Sequence, residues 1–353
     1  MSAASAAAVA RAYGRIEHFL DERARGWEQS RALADAARRL SERYTEERAP
    51  VAGDDVAELA YLAYFGPRAV CATAAALDAA QLTARGVVVD AGCGSGAAAL
   101  LLVEAGAARV IGVDRSERAL AMARALVGDA LRAVCAPVES APACREATLV
   151  ASSFAFGELA GSAELALAAL ERLGGEHSAL AIVDAGDRAH ARRLQQAREA
   201  VRLAPTDRRH LLAPCPHDDA CPALARERDW CHARVAKALS PRLAAFARAV
   251  GRDEVHMASS YLVLAPPGAT TREDGGGILV IGEAHKEKGR ARLSVCGPGG
   301  LRFLQALKRE RAAFDALLAV PRGARLAPSL ATGATHGVAH VDASQVAALM
   351  AAE

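Results

Sequence analysis

The pattern of hydrophobic and polar positions changes twice along the chain. Up to about residue 84, apolar residues recur every three or four positions with charges between them, as in "IEHFLDERARGWEQSRALADAARRLSERY". This spacing is typical of amphipathic helices. A second stretch, "DDVAELAYLAYFGPRAVCATAAALDAA", predicts two more helices with a break near Gly66 and Pro67, because proline disrupts a helix interior. Residues 1–84 are therefore predicted to form an N-terminal helical region.

Between residues 85 and 205, short β-branched runs alternate with stretches rich in alanine and leucine. The runs "GVVVDAG", "ARVIGVD", "LRAVCA", "ATLVASS" and "SALAIVDAG" are predicted to be strands, with helices between most of them. Repeated alternation of strand and helix indicates a parallel sheet that is covered on both faces. The predicted fold class of this part is α/β, a Rossmann-like parallel sheet.

The pattern becomes mixed beyond residue 205. Prolines, histidines and cysteines appear together, and three strand-like runs follow, "SSYLVLAP", "GILVIGEA" and "ARLSVC". The next stretch, "LRFLQALKRERAAFDALLAV", is predicted to be a basic helix. Residues 206–330 are thus expected to form an α+β domain that binds metal through the cysteines. Residues 331–353, rich in alanine, glycine and histidine, are expected to form a flexible tail.

Composition narrows the class of protein. The 353 residues carry a net charge of +2, so any electrostatic case for binding nucleic acid has to be local. No stretch is long and apolar enough to span a bilayer, and the N-terminus lacks the apolar core of a secretory signal. We therefore expect a soluble cytoplasmic protein and a monomer. Eight cysteines are too few for a disulfide scaffold in a chain of this length, which favours metal binding for any that cluster.

A glycine loop, "VVVDAGCGSG", follows the first predicted strand. Asp90 ends the strand, and Gly92, Gly94 and Gly96 lead into a helix, where glycine allows the backbone to approach a ligand closely. The next strand ends at Asp114, a position from which a carboxylate can accept both ribose hydroxyls of an adenosine ligand. The dinucleotide fingerprint would need a third glycine where this chain has alanine. The pattern instead resembles motif I of class I methyltransferases, and we expect these five residues to bind S-adenosylmethionine.

The segment after the fourth strand is the expected position of the methyl acceptor. Many methyltransferases that act on amines carry an Asn/Asp-Pro-Pro-Tyr motif there, whereas this chain has Ser152, Ser153 and Phe154. Phe154 could stack on a base and the serines could donate hydrogen bonds to it. No general base is evident, so the catalytic residue is left open. Cys93, inside the glycine loop, is interpreted as a small packing residue.

A group of cysteines marks the segment "PCPHDDACPALARERDWCH", and a further cysteine ends the strand "ARLSVC". The four candidate metal ligands are Cys215, Cys221, Cys231 and Cys296. Four thiolates can hold a [4Fe–4S] cluster or zinc, and the spacing separates these alternatives poorly. His217 and His232 are alternative fourth ligands.

The sequence resembles a known family, the methyltransferase-like proteins of mitochondrial small-ribosomal-subunit assembly and their bacterial relatives. The resemblance rests on "AYLAYFGPRAV", "APCPHDDACPALARERDWCHARV", "SSYLVLA" and "LSVCGPGGL", and spans roughly residues 55–315. It implies a class I methyltransferase fold, a [4Fe–4S] cluster on the four cysteines and association with the small ribosomal subunit or its RNA. It favours iron over zinc. The chain departs from the family at Ala233, where relatives carry an aromatic residue, and at "VPRGARL", where they carry Trp-Gly-Asp.

Basic residues surround the last of the four cysteines and could contact a phosphate backbone. They are Lys286, Lys288, Arg290, Arg292, Arg302, Lys308, Arg309 and Arg311. Two functional hypotheses follow. The chain is a methyltransferase acting on small-subunit ribosomal RNA, or it is a non-catalytic assembly factor that binds the cofactor without methyl transfer.

Overall fold

The computed structural model describes residues 1–43, 54–204, 209–251, 255–269, 277–331 and 337–350. It divides into two compact units. Unit 1 comprises Met1–Asp184 and Val235–Met257, and unit 2 comprises Ala185–Arg234 and Ala258–Glu353. The predicted boundaries after residues 84, 205 and 330 differ from this division.

The helices and strands are numbered in chain order. The helices are α1 (Ala3–Arg23), α2 (Arg31–Glu42), α3 (Asp55–Ala79), α4 (Ala97–Glu104), α5 (Glu117–Val127), α6 (Ala163–Gly174), α7 (Arg188–Leu203), α8 (Pro241–Val250), α9 (Arg311–Ala319) and α10 (Val346–Met350). The strands are β1 (Gly86–Ala91), β2 (Ala107–Asp114), β3 (Leu131–Cys135), β4 (Ala147–Ser153), β5 (Ala179–Ala185), β6 (Leu211–Ala213), β7 (Ala233–Ala236), β8 (His256–Leu264), β9 (Ile278–Val280), β10 (His285–Glu287), β11 (Arg290–Gly297), β12 (Gly300–Leu307), β13 (Arg325–Leu326) and β14 (Val338–His340).

Five strands of unit 1 form the predicted parallel sheet, in the order β3-β2-β1-β4-β5. In the register, Asp90 on β1 lies between Gly112 on β2 and Ala151 on β4. The carboxyl ends of β1, β2 and β4 therefore meet at one edge of the sheet. The strand order reverses between β1 and β4, and in doubly wound sheets ligands bind in the crevice at this reversal. The prediction of an α/β fold with a parallel sheet is confirmed.

The N-terminal helices belong to the same unit as this sheet. Arg11 and Arg15 of α1 form ion pairs with Glu104 at the end of α4. Buried residues of α1, among them Ile16 and Leu20, contribute to the core. The predicted helical region and the sheet thus belong to one compact unit, in which α1 and α3 pack against α4.

The predicted break at Gly66 and Pro67 is also wrong, since α3 runs without interruption through both residues. A Cβ atom on Gly66 would lie 3.1 Å from Leu62 Cδ1 and 3.3 Å from Ala97 Cβ. Glycine thus allows α3 and α4 to pack closely. Pro67 removes one helical N–H donor, and burial of this face of α3 outweighs that loss.

A second sheet lies in unit 2, in the order β13-β9-β11-β12-β14, with β10 paired to β11. β11 and β12 form an antiparallel hairpin that runs from the pair Arg290–Leu307 to the pair Gly297–Gly300. The first half of the predicted basic helix is therefore the strand β12, and only its second half is helical, as α9. Alternating burial along β12 and the glycine-rich turn before it favour the hairpin over a continuous helix.

One face of the second sheet packs against α9 and α10. The core between them contains Leu293 and Val295 from β11, Leu304 from β12 and Phe314 from α9. β6 pairs antiparallel with β8 elsewhere in the unit, with Ala213 opposite Val263. None of the helices formed by the described residues has the length and apolarity needed to cross a membrane.

The predicted flexible tail differs from the structure over residues 337–350. β14 pairs in parallel with β12, with Ala339 opposite Leu304. Val341 and Leu349 are buried in the same core as Phe314. Ala339, one of the small residues on which the prediction of a flexible tail depended, is buried against the sheet as well. The rest of the predicted tail, at 332–336 and 351–353, lies outside the described residues.

The buried contacts of α10 give the first testable prediction. Leu349 is 1% exposed, and Leu349→Ala should lower the free energy of unfolding by about 2–5 kcal/mol, because it leaves a cavity in the core. Leu203→Ala is the matched control, because Leu203 is 67% exposed in the same unit and its truncation should change little. Urea unfolding measures both values. Equal stability of the two variants would contradict the packed position of α10.

Candidate functional site

The loop between β1 and α4 carries three glycines with positive φ, and each has a different reason to be glycine. Gly94 has a φ of +51°, and a Cβ there would meet no atom within 4 Å, so its backbone faces open space. A Cβ on Gly92 would lie 2.3 Å from Ala155 Cβ, in the segment after β4. A Cβ on Gly96 would lie 2.8 Å from Ala123 Cβ on α5. Gly94 thus fits a ligand contact, whereas Gly96 fits helix packing.

Cys93 has the packing role predicted from the sequence. The thiol is buried, and its Sγ lies where a Cβ on Gly112 of β2 would come within 2.9 Å of it. Burial raises the pKa of this thiol well above its usual value, with Asp90 adding to the shift. A neutral thiol in this position fills space between the loop and the sheet and is a poor nucleophile.

Asp114 ties the glycine loop to the end of β2. One carboxylate oxygen accepts a hydrogen bond from the Gly94 N–H at 2.9 Å, and the other accepts from the Ser116 N–H at 2.8 Å. Carboxylates have lone pairs enough for further donors. Asp114 therefore shapes the loop and can also accept hydroxyl donors from a ligand.

A pocket of unit 1 opens at this edge of the parallel sheet. Of the predicted cofactor-binding residues, Gly92, Gly94 and Asp114 line it, whereas Asp90 and Gly96 do not. Other lining residues were not identified from the sequence: Glu58, Tyr61, Arg115, Glu139 and Glu158.

Most of these additional residues follow a strand end, since Arg115 comes after β2, Glu139 after β3 and Glu158 after β4. The rule that ligands lie at the carboxyl ends of parallel strands could have found them. Glu58 and Tyr61 lie on α3, and no sequence pattern predicts that this helix reaches the pocket. Burial raises the pKa of Glu58. The lining carries more acidic than basic residues, which suits a ligand with positive charge.

Two of the three predicted acceptor residues line the pocket. Phe154 and Ser153 line the pocket, whereas Ser152 is buried and faces away from it. The Ser153 hydroxyl is within 2.7 Å of the Thr73 hydroxyl, with which it shares a hydrogen bond. Phe154 has a φ of +59°, a backbone conformation that aromatic residues rarely adopt. Strain of this kind concentrates at functional sites, where surrounding contacts hold it in place.

Asp90 lies beneath the loop and is fully buried. Neither of its carboxylate oxygens has a hydrogen-bond partner among the residues that the structure describes. Burial, with the charge of Asp114 second, raises the pKa of Asp90 to about 7. Asp90 is thus buried beneath the glycine loop and does not line the pocket.

A second cavity, in unit 2, is lined by all four predicted metal ligands. Three come from the segment between α7 and β7, and Cys296 comes from the end of β11. Cys296 is buried and the others are partly exposed. The Cys221 N–H donates to Glu199 at 2.9 Å, and the Cys231 carbonyl accepts from Ser260. The remote cysteine and the local three therefore share one cavity.

The four thiols influence one another. Burial raises the pKa of every one of them. The next contribution to the pKa of Cys221, Cys231 and Cys296 is the charge of Cys215. The pKa of Cys296 rises to about 12. Simultaneous ionisation of the set thus needs a compensating cation.

Three arginines hold the loops around this cavity through backbone carbonyls. Arg198 donates to the His217 carbonyl at 2.9 Å, and Arg325 donates to the Pro214 carbonyl at 3.0 Å. Arg322 donates to the His232 carbonyl at 3.0 Å. The guanidinium of Arg198 also opposes the upward pKa shift of Cys215. The loops that carry the cysteines are therefore held by arginine side chains, of which Arg198 also lines the cavity and pairs with Glu199.

The two histidines are neutral neighbours of the cysteines. His217 Nε2 lies 3.2 Å from Cys296 Sγ, and burial lowers the pKa of His217. Burial lowers the pKa of His232 to about 4. Within the described part of the chain, no three His, Cys, Asp or Glu side chains converge closely enough to hold a single metal ion. The cysteines share a cavity without forming a closed mononuclear site.

Comparison with known proteins gives one family match. The sequence profile of the family described as Rsm22, "Mitochondrial small ribosomal subunit Rsm22", matches residues 55–313, well over half of the chain. No curated protein matches the chain.

Solved structures give weaker likenesses. An S-adenosylmethionine-dependent methyltransferase from Mesorhizobium loti is 24% identical over 40% of this chain and 59% of its own, with a TM-score of 0.29. A candidate RNA methyltransferase from Pyrococcus horikoshii is 12% identical over 57% and 83%, with a TM-score of 0.36. A TehB-like methyltransferase from Corynebacterium glutamicum is 21% identical over 52% and 89%, with a TM-score of 0.33. The matched part covers 46% to 59% of three solved chains, including the first of these. These TM-scores are all below 0.5, so the fold assignment rests on the strand order.

The burial of Asp90 predicts a pH dependence of stability. Its pKa is about 7 in the folded chain and 3.8 as an ordinary aspartate, so the folded state holds an extra proton between these values. The free energy of unfolding should therefore decrease as pH rises from about 4 to about 7. Asp90→Asn, which cannot ionise, should show a smaller decrease in urea unfolding without added ligand. The same slope in both proteins would contradict a neutral Asp90.

Proposed function

Because this chain belongs to the Rsm22 family, whose profile matches residues 55–313, we propose that it is a methyltransferase-like factor of the small ribosomal subunit. In this proposal it binds S-adenosylmethionine in unit 1 and acts on, or binds, small-subunit ribosomal RNA or its precursors. The cytoplasmic location stays a prediction from the sequence.

The observation that carries the cofactor proposal is the pocket beside Asp114. Gly94 leaves open space at its Cβ position, which a ligand can approach, and Asp114 can accept ribose hydroxyls. The lining carboxylates of Glu58, Glu139 and Glu158 favour a ligand that carries a sulfonium and an ammonium group. When bound, S-adenosylmethionine would supply an activated methyl group.

A specific observation favours the non-catalytic alternative. Ser152 is buried away from the pocket, and the Ser153 hydroxyl is already engaged with Thr73. Of the three predicted acceptor residues, this leaves Phe154 to contact a substrate in the pocket. A phenyl ring cannot accept a proton. Without a proton acceptor among these three residues, methyl transfer would depend on how the methyl donor and the acceptor are positioned. A factor that binds the cofactor and RNA without methyl transfer agrees with this arrangement.

We also propose that the four cysteines hold a structural [4Fe–4S] cluster, with zinc as the alternative. The shared cavity, which all four cysteines line, supports four-thiolate ligation. Arg198, Arg322 and Arg325 would offset the negative charge of the thiolates. The cluster would fix the local cysteine loop to β11.

Binding to ribosomal particles and methyl transfer are tested together. The protein should sediment with small-subunit precursors in a sucrose gradient. Incubation with methyl-labelled S-adenosylmethionine then separates the two hypotheses, since label in RNA establishes an enzyme and bound but untransferred cofactor establishes a non-catalytic factor. Absence of the protein from the small-subunit fractions would contradict the proposed function.

Asp114→Ala should weaken S-adenosylmethionine binding by about tenfold or more, because it removes a charged acceptor for the ribose and a tether of the glycine loop. Isothermal titration calorimetry measures the change. Asp129→Ala is the control, since Asp129 is an exposed acid in the same unit. Unchanged affinity in Asp114→Ala would refute the assignment of the pocket.

Cys296→Ser should lose most of the metal and lower the melting temperature, because it removes the ligand that joins β11 to the cysteine loop. Anaerobic purification with iron, sulfide and zinc assays measures the metal, and about four irons per chain are expected in the wild type. Cys135→Ser is the control, since Cys135 is exposed in unit 1. Full iron content in Cys296→Ser would exclude it as a ligand, and one zinc without iron would replace the cluster with zinc.

A further inference from the structure

Among the described residues, α9 and α10 cover one face of the second sheet, and neither helix covers the opposite face. Residues of β11 and β12 alternate between the core and this opposite face, which we call the open face. Its paired residues are Cys296 with Leu301, Ser294 with Phe303 and Arg292 with Gln305. The helices α9 and α10 cover the other face through Leu293, Leu304 and Phe314. Cys296 and Gln305 are buried, so the accessible part of the open face is formed mainly by Leu301 and Phe303.

Large apolar side chains are exposed on this face. Phe303 is 42% exposed and Leu301 is 39% exposed, and they are two residues apart on β12. The guanidinium carbon of Arg292 lies 5.7 Å from the centroid of the Phe303 ring. Arg292 is positioned there by its hydrogen bond to Gln305 Oε1, at 2.9 Å. An aromatic ring with a held cation beside it offers one flat apolar surface and one positive charge.

Positive charge is concentrated in the same segment. Residues 283–311 contain eight Lys or Arg and three Asp or Glu, a net charge of +5 in a chain whose total is +2. The Lys308 N–H donates to the Gly289 carbonyl at 2.9 Å, so the turn after β12 lies beside the turn before β11. This brings the backbones of Lys288 and Lys308 together at one end of the hairpin. Glu287, which pairs with Arg290 and Arg292, and Asp315, which pairs with Arg311, offset part of this charge.

We propose that the open face binds single-stranded RNA, with a base stacked on Phe303 and the phosphates over Arg292 and the basic turns. Three features favour this ligand over a protein or a membrane. The charge surplus complements a phosphate backbone, and the exposed ring is a stacking surface that any base can use. A sheet with helices on one face and an aromatic residue on the other is also an arrangement by which proteins read unpaired RNA.

This inference rests on the proposed function and names a surface for it. The surface lies next to the cysteine cavity, since Leu301 lines that cavity and pairs with Cys296. Phe303 follows two residues later on the same face. A cluster on Cys296 would therefore fix the strand that positions the stacking residue.

Fluorescence anisotropy with a labelled oligouridylate of about ten nucleotides tests the stacking contact in the full-length protein. Phe303→Ala should weaken binding roughly tenfold, whereas Phe303→Tyr, which keeps the ring, should bind like the wild type. Leu203→Ala is the control, because it truncates an exposed apolar residue elsewhere in the same unit. Arg292→Gln should reduce the slope of log affinity against log salt by about one.

The outcomes separate the surface from the function. Equal RNA affinity of Phe303→Ala and the wild type would overturn the proposal, even if the wild type still sediments with small-subunit precursors. Loss of sedimentation in Phe303→Ala with unchanged affinity for free RNA would also overturn it and assign the face to a ribosomal protein. If the wild type neither binds RNA nor sediments with the precursors, the proposed function itself fails. Loss of RNA binding in Phe303→Ala alone, with cofactor binding intact, supports the surface.

Discussion

The pocket of unit 1 depends on a single carboxylate. Asp114 accepts hydrogen bonds from the N–H groups of both Gly94 and Ser116. It thereby fixes the loop after β1 relative to the turn after β2. Two hydrogen bonds that a charged carboxylate accepts are stronger than two hydrogen bonds between neutral groups. The positive φ angles of the loop would cost free energy for any residue with a side chain, and glycine removes that cost. The carboxylate that fixes the loop also lines the pocket.

In the cysteine cavity of unit 2, by contrast, ionisation of the side chains is disfavoured. Burial, and after it the charge of Cys215, raises the pKa of Cys221, Cys231 and Cys296, which favours their neutral thiols. The arginines at its rim bond to backbone carbonyls of the cysteine loops. The carboxylate of Glu199, which pairs with Arg198, is engaged by the Cys221 N–H. Metal uptake and loop ordering are therefore expected to be one process.

The sequence was informative where a pattern is local and periodic. The five parallel strands and the glycine loop were predicted because buried β-branched runs and glycines at fixed spacing are compatible with few alternative structures. The strand β12 was misread because "LRFLQALKRE" fits an amphipathic helix as well as a strand, and the pairing with β11 decides between them. Asp90 and Gly96 were assigned to the cofactor by motif, although their positions are set by packing beneath the loop. Glu58 reaches the pocket through the packing of α3, a contact that no local pattern encodes.

The division of the chain has a consequence for the order in which the protein can form. Val235–Met257 belongs to unit 1, yet it is synthesised after three of the four cysteines, and Cys296 follows later still. Each unit thus contains an early and a late segment of the chain, so neither unit can finish folding while only the first half of the chain has left the ribosome. The parallel partner of β12 is β14, which comes close to the end of the sequence. Three of the four cysteines are therefore made before β11 supplies Cys296, so the cluster that we propose could close on all four only after β11 has been synthesised.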